Sequence, residues 1–79
     1  MKAKVVLNSI DRVKEFVNIT SGIDAEMDLA SGRYVIDAKS IMGIFSLDLS
    51  KPIQFELHST DESIILAVKD KLQEYIVSD

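Results

Sequence analysis

The residue best suited to carry chemistry is a serine directly before a short apolar stretch. Ser40 precedes residues 41–47, which read Ile-Met-Gly-Ile-Phe-Ser-Leu. A serine at the start of a helix can cap it, because its hydroxyl accepts a hydrogen bond from a free backbone N–H group of the first turn. The same hydroxyl could accept a phosphoryl group, whose charge would meet the positive end of the helix dipole. One serine can fill both roles.

The histidine and the acidic side chains are weaker candidates for a chemical role than Ser40 is. His58, the single histidine, ends a predicted strand in phase with Glu56, so we expect it on a solvated strand face. No base or metal partner is evident near it in the sequence. Asp24, Glu26 and Asp28 alternate along another strand, whereas a cation site needs ligands that converge from several segments. The sequence therefore predicts no catalytic residue, no metal ligand and no cofactor.

Composition excludes several classes of protein. The chain has 79 residues, which allow a single domain spanning positions 1–79. It has no cysteine, which removes disulfides, zinc knuckles and cysteine nucleophiles and favours a cytoplasmic location. The net charge of −4 disfavours nucleic acid as a partner. No apolar run approaches the ~20 residues needed to cross a bilayer, so no membrane partner is predicted.

The elements that must position Ser40 follow from hydrophobic spacing. Apolar residues alternate in the predicted strands and recur at three and four residues in the predicted helices. Each strand has one polar face, which predicts an α+β fold with helices covering one face of the sheet. Ferredoxin-like folds share most of this order and stay open on periodicity alone. In chain order we predict strand 2–7, a helix from 10 that ends at Gly22, strands 23–29 and 34–38, a short helix within 40–47, strand 53–58 and a last helix that carries Ile76.

Residues 38–47 resemble a known family. They read Ala-Lys-Ser-Ile-Met-Gly-Ile-Phe-Ser-Leu, which is similar to the stretch around the regulatory serine of HPr, the small phosphocarrier of the bacterial sugar phosphotransferase system. The element order and the chain length are similar as well. The resemblance implies an HPr-like open-faced β-sandwich, in which three helices cover one face of a four-stranded antiparallel sheet in the order β-α-β-β-α-β-α. It also implies that Ser40 is a regulatory phosphorylation site.

The sequence departs from that family at the carrier site. HPr carriers have a Gly-(hydrophobic)-His-x-Arg-Pro-Ala segment between the first strand and the first helix, and its histidine accepts the phosphoryl group. Here residues 7–13 read Leu-Asn-Ser-Ile-Asp-Arg-Val, with neither histidine nor proline. Arg12 is basic, but Asp11 adds negative charge where a phosphoryl group would arrive. The histidine reaction is therefore not carried over, and catabolite-repression homologues of HPr offer a precedent for this combination.

The short helix is also the candidate partner surface. It is apolar nearly all round, and a chain this small cannot enclose a helix on every side. We therefore expect part of Ile41, Met42 and Phe45 to be exposed. The resemblance implies that this helix docks partner proteins together with the start of the first helix, where Arg12 lies. The implied partners are an HPr kinase/phosphorylase and a transcriptional regulator or phosphotransferase components.

These observations predict a regulatory protein rather than an enzyme. It would act by protein–protein contact, with Ser40 as its switch. Two alternatives remain open. The chain could be a degenerate HPr-fold scaffold that is never phosphorylated, or it could be a phosphocarrier that holds phosphate on a non-standard residue.

Overall fold

Residues 1–78, which the computed structural model describes, alternate between strands and helices. Four pairs of neighbouring strands, all antiparallel, join the strands into one sheet of order β3-β2-β4-β1-β5. In chain order the elements are β1 (Lys2–Val5), α1 (Ile10–Ser21), β2 (Glu26–Ser31), β3 (Tyr34–Asp37), α2 (Ile41–Phe45), β4 (Ile53–His58), α3 (Glu62–Lys71) and β5 (Ile76–Ser78).

The predicted α+β class is confirmed, with one correction to the strand count. The sheet has five strands instead of four. The last helix ends at Lys71, and the chain then turns so that Ile76 pairs with Val5 on β1. The Val6 N–H donates to the Tyr75 carbonyl at 2.9 Å, which begins this contact. The extra strand supplies hydrogen-bond partners to an edge of β1 that would otherwise leave backbone groups unpaired.

Buried and exposed side chains alternate along the strands, so the sheet has a core face and an open face. The helices contribute Val13, Phe16 and Val68 to the core, and all three side chains are fully buried. Phe16 lies edge-to-face with the rings of Phe55, at 6.2 Å between centroids, and Tyr75, at 5.7 Å. The core side chains of the sheet are Ala3, Val5, Met27, Leu29, Ile53, Phe55 and Leu57.

Local sequence features set the ends of the elements. Ser9 caps α1 by accepting a hydrogen bond from the Arg12 N–H at 3.1 Å, and Gly22 ends the helix as predicted. The second strand begins at Glu26 and not at Ile23, because the Ile23 N–H is still bonded to the last turn of α1. Gly32 has a φ of 59°, which suits the two-residue turn between β2 and β3 because glycine has no Cβ to clash.

Candidate functional site

Ser40 stands at the start of α2 with its hydroxyl turned back onto the helix. Its backbone is extended, and its Oγ accepts a hydrogen bond from the Gly43 N–H at 3.2 Å. Its carbonyl accepts the first helical bond, from the Ile44 N–H at 3.0 Å. The predicted helix cap is therefore confirmed. The residue as a whole is half-buried.

The glycine at position 43 is explained by close packing at this cap. A Cβ there would lie 3.1 Å from Ser40 Oγ and 3.3 Å from Ile36 Cβ, both closer than ordinary van der Waals contact. A larger residue would therefore push on the capping hydroxyl and on β3. The absence of a side chain allows Ser40 to sit tightly over the first turn.

The outward side of α2 is apolar. Met42 is 77% exposed and Phe45 is 40% exposed, while Ile41 is half-buried against the core. The opposite side of the helix is anchored, since Ile44 is fully buried. We call Ser40, Ile41, Met42 and Phe45 the α2 surface. Large exposed apolar side chains beside one another are typical of contact surfaces for other proteins.

Arg12, the predicted basic residue at the start of α1, makes several contacts inside the protein. Its Nε and Nη2 donate to the Val6 carbonyl at 3.2 and 3.1 Å, and Nη2 also donates to the Glu74 carbonyl at 3.0 Å. The guanidinium lies 4.7 Å from the centre of the Tyr75 ring. Arg12 therefore ties the loop after β1 to the turn before β5. Its proposed part in partner binding stays a prediction.

The segment between β1 and α1 brings no histidine to the start of α1. Its exposed residues are Asn8 and Ser9, and the Ser9 hydroxyl is used to cap the helix. His58, the single histidine of the sequence, lies at the end of β4. It follows Glu56 on the open face of the sheet, whereas α1 packs on the other face. His58 and the start of α1 therefore belong to different surfaces.

His58 has a partner that its local sequence does not reveal. Its Nε2 lies 2.6 Å from Asp28 Oδ2, and its Nδ1 lies 3.9 Å from Glu56 Oε2. The register of β2 and β4 places Glu26 opposite His58 and Asp28 opposite Glu56. The contact is thus a diagonal cross-strand pair on an exposed face. Among residues 1–78, no group of three or more histidine and acidic side chains is arranged to hold a metal ion.

The described helices are too short or too polar to cross a membrane.

Tyr75 links the last turn of the chain to α1. Its ring is buried, and its hydroxyl donates to Glu15 Oε2 at 2.9 Å. Burial raises the pKa of the Tyr75 hydroxyl above its ordinary value, and the hydrogen bond to Glu15 raises it further. The folded protein therefore holds this proton more firmly than the unfolded chain does.

This difference predicts a loss of stability at high pH. A group whose pKa is raised on folding stabilises the protein fully below its unfolded pKa, about 10 for tyrosine, and this contribution is lost as the pH rises through the folded pKa. Tyr75→Phe should cost about 1 kcal/mol at neutral pH and should flatten the alkaline fall in the free energy of unfolding. Urea denaturation at several pH values would measure both effects. Tyr34→Phe, at a residue that is 68% exposed, is the control and should keep the wild-type profile.

Solved structures of HPr proteins resemble this chain over nearly its whole length. The HPr-C-His protein of Thermoanaerobacter tengcongensis superposes with a TM-score of 0.72 and 22% sequence identity, covering 94% of this chain and 92% of that chain. The histidine-containing phosphocarrier protein of a mycoplasma superposes with a TM-score of 0.66 and 15% identity, covering 94% of this chain and 91% of that chain.

No protein-family model matches the sequence, and no curated protein matches it either. The structural likeness therefore establishes the architecture. The order of strands and helices agrees with that likeness, and so does the antiparallel sheet covered by helices. The superposition on the HPr-C-His protein also covers nearly all of this chain and of that one. The chain has the fold of the HPr phosphocarrier proteins.

Proposed function

We propose that this chain is a regulatory protein-binding module of the phosphoenolpyruvate-dependent sugar phosphotransferase system, with Ser40 as its phosphorylation switch. One observation carries the proposal. Ser40 caps a helix whose Met42 is 77% exposed, in a protein with the HPr fold. A site for charge and an apolar contact surface are thus only two positions apart. The module has no catalytic activity of its own and acts in the bacterial cytoplasm.

The apolar part of the α2 surface supports a protein partner. Methionine is unbranched and polarisable, so Met42 can adapt its shape to a contacting surface. Phe45 adds a rigid ring that is partly exposed. The buried Ile44 holds the helix in place, so little ordering of the backbone is needed when a partner binds. The partners we propose are an HPr kinase/phosphorylase and a transcriptional regulator or another phosphotransferase component.

The position of Ser40 supports a switch of that surface. A phosphate would bring about −1.5 to −2 charges and three acceptor oxygens to the start of the helix. It would replace the proton of the hydroxyl, so that the Oγ which now accepts from the Gly43 N–H becomes an ester oxygen. An apolar partner surface would then face a charge that it must desolvate, whereas a partner arginine would gain a strong pair. Phosphorylation would therefore change which partner binds.

The histidine carrier reaction is not part of this proposal. The segment from Leu7 to Val13 contains no histidine, and His58 lies on the opposite face of the sheet. The alternative is that the chain is a phosphocarrier, which would hold the phosphoryl group on a non-standard residue. Incubation with phosphoenolpyruvate, enzyme I and a standard HPr as the positive control tests it. We expect the intact mass of this chain to stay unchanged, and a gain of one acid-labile phosphate would establish the alternative.

The switch itself is tested with an HPr kinase/phosphorylase from a Gram-positive bacterium and ATP. We expect the wild-type chain to gain one phosphate by intact mass and Ser40→Ala to gain none. Ser46→Ala is the matched control, because Ser46 is exposed at the other end of the same helix and its Oγ donates to the Gly43 carbonyl. It should be labelled like the wild type.

Two results would contradict the switch. The first is an unlabelled wild-type chain in a reaction where a standard HPr is labelled, which would favour the degenerate scaffold. The second is full labelling of Ser40→Ala. Circular dichroism of each variant shows whether a loss of labelling reflects a loss of fold.

A further inference from the structure

The strand β3 forms an outer edge of the sheet. In the order β3-β2-β4-β1-β5 its sheet neighbour is β2, and the register joins Ala30 with Val35 and Ser31 with Tyr34. The edge of a strand presents backbone N–H and C=O groups that can pair with another chain. The other side of β3 is therefore available for a further strand.

Two hydrogen bonds show which backbone groups of β3 point outward. The Ala38 N–H donates to the Met27 carbonyl at 2.9 Å, so the backbone at position 38 is directed toward β2. The Asp37 carbonyl instead accepts from the Ser40 N–H at 3.0 Å, which lies off the sheet ladder. Backbone groups alternate sides along a strand, so Val35 shares the outward direction of Asp37. The Val35 N–H and C=O therefore face away from β2.

The side chains exposed at the centre of this edge are large and uncharged. Tyr34 is 68% exposed and Val35 is 64% exposed. Natural edge strands commonly carry a charged residue or proline in the middle, which blocks pairing. Here the charges lie at the two ends instead, with Arg33 directly before the strand and Asp37 as its last residue.

This distribution of charge is complementary to itself. In an antiparallel pair of two β3 strands centred on Val35, each Val35 would exchange two backbone hydrogen bonds with the Val35 of the second copy. Tyr34 would then lie opposite Ile36, and Arg33 opposite Asp37, twice by symmetry. Opposite charges at facing positions stabilise such pairs, and a two-fold contact is the commonest way in which identical chains associate. Asp37 Oδ1 already accepts from the Lys39 N–H at 2.8 Å, which holds the carboxylate in place.

We propose that two copies of this chain associate through antiparallel pairing of their β3 strands, so that their sheets join into one continuous sheet. The paired strand has four residues, so the contact is small and the association is weak. The dimer should therefore be seen as a rise in average mass with protein concentration.

Sedimentation equilibrium over a concentration series tests the proposal. We expect the wild type to pass reversibly from monomer to dimer. Arg33→Asp alone and Asp37→Arg alone should each weaken association by at least about tenfold, since each places like charges opposite one another at both ends of the pair. An equimolar mixture of the two variants should dimerise like the wild type, because both facing positions again hold opposite charges. Lys51→Asp, an exposed charge change before β4, should leave dimerisation unchanged.

Rescue in the mixture is specific to this register and to a second copy of the chain. A wild type that stays monomeric at every concentration overturns the proposal, even if a foreign extended peptide binds the edge. Single variants that dimerise like the wild type overturn it as well, and so does a mixture that stays monomeric. Thermal unfolding of each variant confirms that the monomers are folded, so that a loss of association can be assigned to the edge.

A second measurement uses the absence of cysteine from the sequence. Val35→Cys would place one thiol at the centre of the proposed pair, and mild oxidation should cross-link it rapidly to the second copy. Gln54→Cys is the control, because Gln54 is exposed on β4 in the interior of the sheet. Equal rates of cross-linking for the two variants would contradict the proposed pairing.

Discussion

Phe16→Ala is expected to remove a large part of the stability of the folded protein. The side chain is fully buried, and its ring lies edge-to-face with the rings of Phe55 and Tyr75. Truncation of a buried phenylalanine costs about 3–5 kcal/mol, and domains are stable by roughly 0.05–0.15 kcal/mol per residue. For a chain of 79 residues this stability is about 4–12 kcal/mol, so the loss is a large fraction of it. Urea denaturation followed by circular dichroism would measure the effect.

The matched control lies on the same helix. Ile10→Ala removes an aliphatic side chain that is 61% exposed at the start of α1, and it should change the free energy of unfolding by no more than about 0.5 kcal/mol. The expected contrast depends on Phe16 joining α1 to both β4 and the last turn of the chain. A Phe16→Ala variant with the wild-type denaturation midpoint would show that this packing is wrong.

Met42→Lys is expected to weaken binding of an HPr kinase/phosphorylase without affecting the fold. Met42 is the most exposed large hydrophobic residue of the α2 surface, at 77%. Loss of a central apolar contact costs about 2 kcal/mol, or roughly thirtyfold in affinity. Isothermal titration calorimetry would measure the affinity of each variant. Thermal unfolding should be nearly unchanged, because the side chain contributes little to the core.

Leu66→Lys provides the comparison for this variant. Leu66 is 66% exposed on α3, so the substitution changes charge and surface hydrophobicity in the same way at another place. We expect its affinity to match that of the wild type. Equal weakening by both substitutions would mean that surface charge, and not the α2 surface, controls binding.

Much of the fold could be predicted because its signals are local. Ser9 and Gly22 mark the ends of α1, and alternating apolar residues mark the strand that holds Phe55. The last strand was missed for a physical reason. Leu72 and Ile76 are four residues apart, which is also the spacing of a helical stripe, so periodicity continues the helix. The pairing of Ile76 with Val5 depends on where the chain returns in space.

In the candidate site, too, the local contacts could be predicted from the sequence and the long-range contacts could not. The cap formed by Ser40 follows from a hydroxyl placed before an apolar helix, and the structure agrees with it. The contacts of Arg12 with the Val6 and Glu74 carbonyls could not be predicted, because the second carbonyl is 62 positions away. The pair of His58 and Asp28, 30 positions apart, likewise depends on the register between β2 and β4.

We propose that a partner of the phosphotransferase system binds at the α2 surface under the control of Ser40. Nuclear magnetic resonance of the isotope-labelled chain, titrated with unlabelled HPr kinase/phosphorylase, tests it most directly. We predict that the backbone signals of Ser40, Met42 and Phe45 shift or broaden first, while those of Val35 and Gln54 do not change. Perturbation centred on Val35 and Gln54, or no perturbation at a kinase concentration that saturates a standard HPr, would contradict binding at the α2 surface.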